Sequence, residues 1–308
     1  MSRIRLALVG FGKIARDQHA PALAASADFE LVAIASPAGG LPALASFPDL
    51  DSLLQDGPSI DAVAICTPPQ ARFALARRAL QSGLHVLLEK PPAMTPGDVD
   101  ALAGFARESG RALFASWHSR HAPAVEAARA WLEGRRIDGA QVTWREDVRV
   151  WHPGQHWIWE AGGLGVFDPG INALSILTRI LPHAMAVKEC ELSIPRNCAM
   201  PIAARLSMLA STGYRIDAAF DFRETQAPAW TIEIETDRGH LVLDDGGANW
   251  SIDGRVVATR PKAEYPDVYA RFAQLVRAGQ VDADVAPLQI VADAFACGRR
   301  ITVEAFRE

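Results

Sequence analysis

A chain of 308 residues with 49% hydrophobic and 22% charged residues has apolar content enough for a sizeable core, and its length suits two ordinary domains. Its formal net charge of -5 argues against a nucleic-acid-binding surface, and no apolar run approaches the ~20 residues of a membrane span. The start, MSRIRLALVG, has no signal-peptide pattern, and Cys66, Cys190, Cys198 and Cys297 show no paired spacing, so reduced thiols in a cytoplasmic protein are expected.

Up to about residue 120 short apolar runs alternate with helical patterns, which predicts βαβ units and a parallel sheet. Strands are expected at IRLALVG (4–10), FELVAIAS (29–36), AVAIC (62–66), HVLLEK (85–90) and ALFASW (112–117). The helical run ARFALARRALQSG (71–83) stops at Gly83, and TPGDVDALAGFARESG (95–110) starts on Thr95 as N-cap and stops at Gly110. One helix (122–134) then leads to alternating runs: AQVTWREDV, AVKECELSI, IAARLSML, YRIDAAFDF, WTIEIET and HLVLDD. Alternation of Thr231, Glu233 and Glu235 with Ile232 and Ile234 means strands with one wet face. Helical patterns at 170–181, 265–278 and 287–300 are expected to cover the other face.

The stretch ALVGFGKIARDQH places Gly10-x-Gly12-x-x-Ala15 between a strand and a helix. Such glycines allow a tight turn and a close backbone approach to a pyrophosphate at the helix N-terminus. The second strand ends ASPAGG, where an acid would bind ribose hydroxyls or an arginine a 2′-phosphate. Ser36 and Pro37 supply neither, which slightly favours NAD and leaves NADP open. The expected fold is α/β. A Rossmann-type parallel sheet occupies residues 1–120, and an α+β domain with an open, mainly antiparallel sheet occupies 121–308. The open sheet face suggests pairing into a homodimer or homotetramer.

AICTPPQ (64–70) and LLEKPP (87–92) end the third and fourth expected strands, and GGLGVFDPGIN follows later. With GxGxxA, TPP and EKP, the chain resembles, over essentially its whole length, the oxidoreductase family of glucose–fructose oxidoreductase, inositol dehydrogenase and MocA-like proteins. GKIARDQH, FASWHSR, RVWHPGQHWIWE and GGLGVFDPGINALSI are similar to the subgroup of L-arabinose and D-galactose 1-dehydrogenases. That subgroup oxidises the anomeric carbon of a pyranose to a lactone with NAD(P). The resemblance implies cofactor contacts from Gly10, Gly12, Lys13, Ile14, Ser36, Thr67, Pro68, Glu89 and Lys90. It implies sugar contacts from Lys90, His118, Glu146, His152, Asp168 and Asn172, with Lys90, Asp168 and Asn172 catalytic.

One departure matters. The family's usual histidine at the end of the second-domain signature is Asn172 here, and an amide exchanges no proton near neutral pH. The base role then falls to Asp168, one helical turn earlier; its other reading, an N-cap for the following helix, can coexist with that role. Lys90 orients the C1 hydroxyl and stabilises negative charge, or shares in moving the proton. Trp144, Trp151, Trp157 and Trp159 divide between core packing and a stacking wall for the sugar, and His156 reads as structural. No tight ligand spacing points to a metal. Two alternatives stay open: a polyol or sugar dehydrogenase acting at another carbon, and a non-catalytic, dinucleotide-binding sugar sensor. Lys90 and Asp168 argue against the sensor.

Overall fold

The structure, a computed structural model, describes residues 2–307, which divide into two units. The first unit runs to His118 and takes in Ala263–Val285; the second comprises Ser119–Lys262 and the chain from Ala286 onward.

In chain order, β1 (Ile4–Val9) leads into a helix at 13–24, wound as π turns over Ala15–His19 and ending as α1 (Ala20–Ala24). Then come β2 (Phe29–Ala35), β3 (Ala45–Phe47), α2 (Leu50–Asp56), β4 (Ala62–Ile65), α3 (Pro69–Gln81), β5 (His85–Glu89), α4 (Pro96–Glu108) and β6 (Leu113–Ser116). The strands pair in parallel in the order β6-β5-β4-β1-β2-β3. All four residues of β4 and of β6 are buried, as expected for parallel strands covered on both faces. Thr95 caps α4 as expected, its hydroxyl accepting the Asp98 N–H at 3.1 Å.

The second unit contains α5 (Val125–Leu132), β7 (Ile137–Arg145), α6 (Val148–Trp151), α7 (Phe167–Ile180), β8 (Met185–Pro195), β9 (Ala203–Ala210), β10 (Arg215–Asp221), β11 (Ala229–Thr236), β12 (Gly239–Asp244), β13 (Asn249–Ile252) and β14 (Arg255–Val257). The chain then returns to the first unit with α8 (Glu264–Ala278) and β15 (Val281–Asp282), and ends in the second with α9 (Ala286–Cys297) and β16 (Arg299–Val303). The nine-stranded sheet has the order β14-β13-β12-β11-β7-β10-β9-β8-β16. It is mostly antiparallel, with β7–β10 and β8–β16 parallel. Its inner face packs against α5, α7 and α9, where the Phe167 ring meets Phe220 at 5.7 Å and Phe295 at 5.3 Å. On β7 the outward residues are Gln141, Thr143 and Arg145, alternating with buried Val142 and Trp144.

Three expectations are corrected. Residues 263–285 do not belong with the second domain. The apolar stripe of α8 (Tyr265, Val268, Tyr269, Phe272, Leu275) is matched to Leu6, Leu8, Phe29 and Phe114, and it completes the first unit's core. It therefore leaves only α7 and α9, of the three expected helices, on the large sheet. Finally, α9 stops at Cys297, and the alternating Arg299–Val303 forms a strand beside β8, so residues 299 and 300 are not helical. The short strands β3, β13 and β14 carry too little periodicity to be expected from sequence.

Candidate active site

In the first unit, β1, β2, β4 and β5 end together. The chain runs from β1 to β2 on one side and later returns to β4 on the other, so the strand order reverses beside β1. Ligands of doubly wound sheets bind outside the strand ends at such a point. Backbone bonds tie the edge together: Gly10 N–H to Ala35 O at 2.8 Å and Cys66 N–H to Val9 O at 2.7 Å. Gly10 has φ +88°, and a Cβ there would stand 2.9 Å from Thr67 N and Cγ2. A side chain would both strain the turn and collide with β4's end. Gly12 is exposed with open space around it. Beside this turn the Thr67 hydroxyl is buried without a hydrogen-bond partner. A bare glycine backbone, a helix N-terminus and an unsatisfied buried hydroxyl fit a bound dinucleotide phosphate.

The other expected cofactor residues lie along the same edge or the helix behind it. Lys13, exposed, pairs with Asp17 one helical turn on, and Ile14 is half-buried. Ser36 is 6% exposed, and its hydroxyl accepts the Ala38 N–H at 3.2 Å. Neither an acid nor an arginine occupies the 36–40 turn. Pro68 is exposed at the start of α3. Lys90 is half-buried just past β5, joined to Pro91 by a cis peptide, with its N–H donating to Glu89 Oε2 at 2.7 Å.

Glu89 is turned inward. The residue is 1% exposed, and its carboxylate also takes the Tyr265 hydroxyl at 2.6 Å and lies 3.1 Å from His19 Nε2. Internal partners hold that carboxylate. Burial opposes its charge, yet the hydrogen bond and charge of His19, with the charges of His118 and Arg72, hold its pKa well below the carboxylate range. His118 stacks on Tyr265, ring centroids 5.4 Å apart, with Nδ1 3.1 Å from Glu264 Oε2.

In the second unit the chain brings three polar side chains together. Glu146 follows β7, its N–H donating to Asp221 O at 3.0 Å, and its side chain is buried. The four-residue helix α6 then turns the chain, so that His152, at its C-cap, faces back toward Glu146. His152 Nε2 is 2.9 Å from Glu146 Oε1, and Nδ1 is 3.5 Å from Asp168 Oδ2. The second separation is longer than a good hydrogen bond, and Nδ1 is buried without one. Trp230 Nε1 donates to Glu146 Oε2 at 2.9 Å. An imidazole thus stands between two buried carboxylates, in hydrogen-bond range of Glu146 and beside Asp168.

Asp168 sits in the first turn of α7 and is 4% exposed. The N-cap is Val166, so Asp168 is not the cap residue considered from sequence; within the first turn it still gains from the helix dipole. Asn172, half-buried, lies one turn later on the same face. The approach to α7 is pinned at Gly165, with φ +53°, where a Cβ would stand 2.3 Å from Pro201 O.

The tryptophans differ in exposure. Trp144 is buried, whereas Trp151 is 44% exposed and meets Trp230 edge-on with centroids 4.9 Å apart. Trp159 packs between Phe222 and Phe306, and His156 is exposed. Sequence reasoning missed Trp230. Its only signal is that it opens an alternating strand, and its register opposite Trp144 is a product of sheet pairing. Among the described residues, no group of three or more His, Cys, Asp or Glu is arranged to hold a metal ion, and no helix is long and apolar enough to cross a membrane.

The family model described as the oxidoreductase family with an NAD-binding Rossmann fold (GFO/IDH/MocA) matches residues 4–116. The chain is 48% identical to galactose 1-dehydrogenase of Pseudomonas fluorescens, over 99% of both chains. It is 52% identical to the crystal structure of D-galactose-1-dehydrogenase from Rhizobium etli, with a TM-score of 0.95 over 100% of this chain and 99% of that one. The 3-ketoreductase KijD10 of Actinomadura kijaniata, in complex with NADP and TDP-benzene, shares the fold at a TM-score of 0.84 and 19% identity, covering 98% of this chain and 100% of that one. With its glycine turn, its EKP segment and a second unit matched along its full length, the chain belongs to the GFO/IDH/MocA family of NAD-binding oxidoreductases.

Proposed function

We propose that the protein is an NAD(P)-dependent aldose 1-dehydrogenase that oxidises C1 of D-galactose or L-arabinose to the lactone. The observation that carries the reading is the buried Glu146–His152–Asp168 array, in a chain 48% identical end to end to a galactose 1-dehydrogenase. L-arabinose is D-galactose without the exocyclic CH2OH, so one set of contacts serves both. The bound nicotinamide supplies the hydride acceptor.

The chain's own residues supply the rest. Asp168 accepts the proton of the C1 hydroxyl, and His152, anchored by Glu146, stands beside its carboxylate. Asn172 holds the sugar by hydrogen bonds. The Lys90 ammonium orients the C1 hydroxyl and offsets negative charge as the proton leaves. Glu146, His152 and His118 serve ring hydroxyls, with Trp151 and Trp230 offering faces for the C–H side of the pyranose. The 36–40 turn, lacking acid and arginine, supports use of either cofactor with a slight preference for NAD. The polar outer face of the nine-stranded sheet supports a homodimer or homotetramer, and a cytoplasmic location belongs to the same reading.

The test is turnover of a sugar panel with NAD and NADP. Reduction of the cofactor with D-galactose or L-arabinose, with lactone or its acid as product, is the expected result. Activity on myo-inositol but no aldose would move the reacting carbon, and cofactor binding without turnover of any sugar would indicate a sensor.

A further inference from the structure

The reaction proposed above does not use the group of side chains behind Lys90. Segments distant in the sequence converge there around Glu89. His19 comes from the π turns behind the glycine loop, Arg72 from α3, Glu89 from the end of β5, and Tyr265 and Tyr269 from α8. His19 is fully buried, and Tyr265 and Arg72 are each 5% exposed. Nδ1 of His19 lies 2.7 Å from the Tyr269 hydroxyl, while Nε2 faces Glu89. Glu89 in turn accepts from the Tyr265 hydroxyl and the Lys90 N–H. Arg72 donates to the carbonyls of Glu89 and Pro91, which flank Lys90, and to Thr67 O at 2.8 Å. Lys90's backbone is therefore held from both sides, and the same cluster reaches the cofactor turn through His19 and Thr67.

Stability does not account for this. Apolar residues of similar volume commonly serve as well as a buried ion pair, or better. Short π segments within helices cluster at functional sites, and this one shifts the helix's facing so that His19 points at Glu89. We propose that His19, Glu89, Tyr265 and Tyr269 are positioning residues that hold Lys90 in register with the C1 hydroxyl and tie that register to the glycine turn. The proposal rests on the role given to Lys90 above.

The test is a double-mutant cycle in the full chain, using whichever sugar and cofactor turn over fastest. Glu89→Gln keeps the shape but breaks the ion pair, and kcat should fall on the order of 10²-fold, as for a small misplacement of a reacting group. KM for sugar and cofactor affinity should change less than about threefold, since the carboxylate is buried among internal partners. Tyr265→Phe removes one donor hydroxyl and should lower kcat by about fivefold. In a Lys90→Ala background both changes should alter the residual kcat less than about twofold, because they act through Lys90. Losses that multiply equally in both backgrounds overturn the positioning role. Should Glu89→Gln not fold, Tyr265→Phe carries the same comparison. Wild-type kcat in Lys90→Ala would remove the role of Lys90 and this proposal with it. Wild-type kcat in Glu89→Gln and Tyr265→Phe, beside a crippled Lys90→Ala, would remove only the positioning.

Discussion

A carboxylate at 4% exposure bears a desolvation cost, and the first turn of α7 offsets some of it for Asp168. If it takes the C1 proton, Asp168→Asn keeps shape and hydrogen bonding but removes the acceptor. The kcat should then fall about 10²–10⁴-fold in steady-state assays, with cofactor affinity retained. A near-normal kcat would leave Asp168 a helix-terminal charge. Pro37 offers a second test. It is exposed at the β2 turn, so Pro37→Arg should improve kcat/KM with NADP relative to NAD through a charge-assisted phosphate contact. A wild type that already prefers NADP by orders of magnitude would mean that another cation reads the phosphate. At this scale Lys90, Asp168 and Asn172 were legible because they stand inside local motifs. The link from Glu146 through His152 to Asp168 was not, since it depends on how α6 turns the chain. The inward turn of Glu89 was equally hidden, because its partners are spread from His19 to Tyr265.

The elements that could be read were those with a strong period or a cap. β1, β2, β4, β5 and β6 fall within a residue or two of their expected spans, and Thr95 caps α4. The π winding at Ala15–His19 has no counterpart in a 3.6-residue pattern, yet it delivers His19 to the interior. Burial opposes a charge on His19, but the Cys66, Tyr269 and Glu89 side chains outweigh it and raise its pKa well above 6.5. Glu89 is shifted the other way, below its ordinary 4.5. Stability from His19 is thus fully present below pH 6.5 and lost as pH rises through its raised folded value. Stability from Glu89 is present above pH 4.5 and lost as pH falls through its lowered folded value. The pair's contribution to the melting temperature should therefore be level between these limits and decline on either side. His19→Gln should flatten the alkaline decline in melts across pH. An unchanged alkaline limb would mean that His19 is not charged in the folded state.

For the whole molecule, fold class and family could be read from one chain because the glycine turn, TPP, EKP and the GGLGVFDPGIN stretch recur in order. The interleaving could not, because an amphipathic helix does not announce which sheet it will cover. α8 joins the first unit through a stacked Phe29–Phe272 pair at 5.6 Å and an edge contact of Tyr269 on Phe29 at 5.4 Å. A fragment ending at residue 118 should accordingly bind ANS and melt without cooperativity, and fusing 263–285 to it through a Gly-Ser linker should restore a sharp transition. A sharp transition in the short fragment alone would show that α8 is dispensable.

The same interleaving orders events during synthesis. β1 to β6 leave the ribosome first, but the helix that seals their core is encoded after Lys262. At ordinary elongation rates the wait lasts on the order of ten seconds, with Phe29 and Phe114 lacking their cover. Nascent chains should recruit holdase chaperones through that interval. A chain cut short anywhere before residue 263 keeps those rings uncovered and should be degraded faster in cells than the full chain, which a pulse-chase of truncated messages would check.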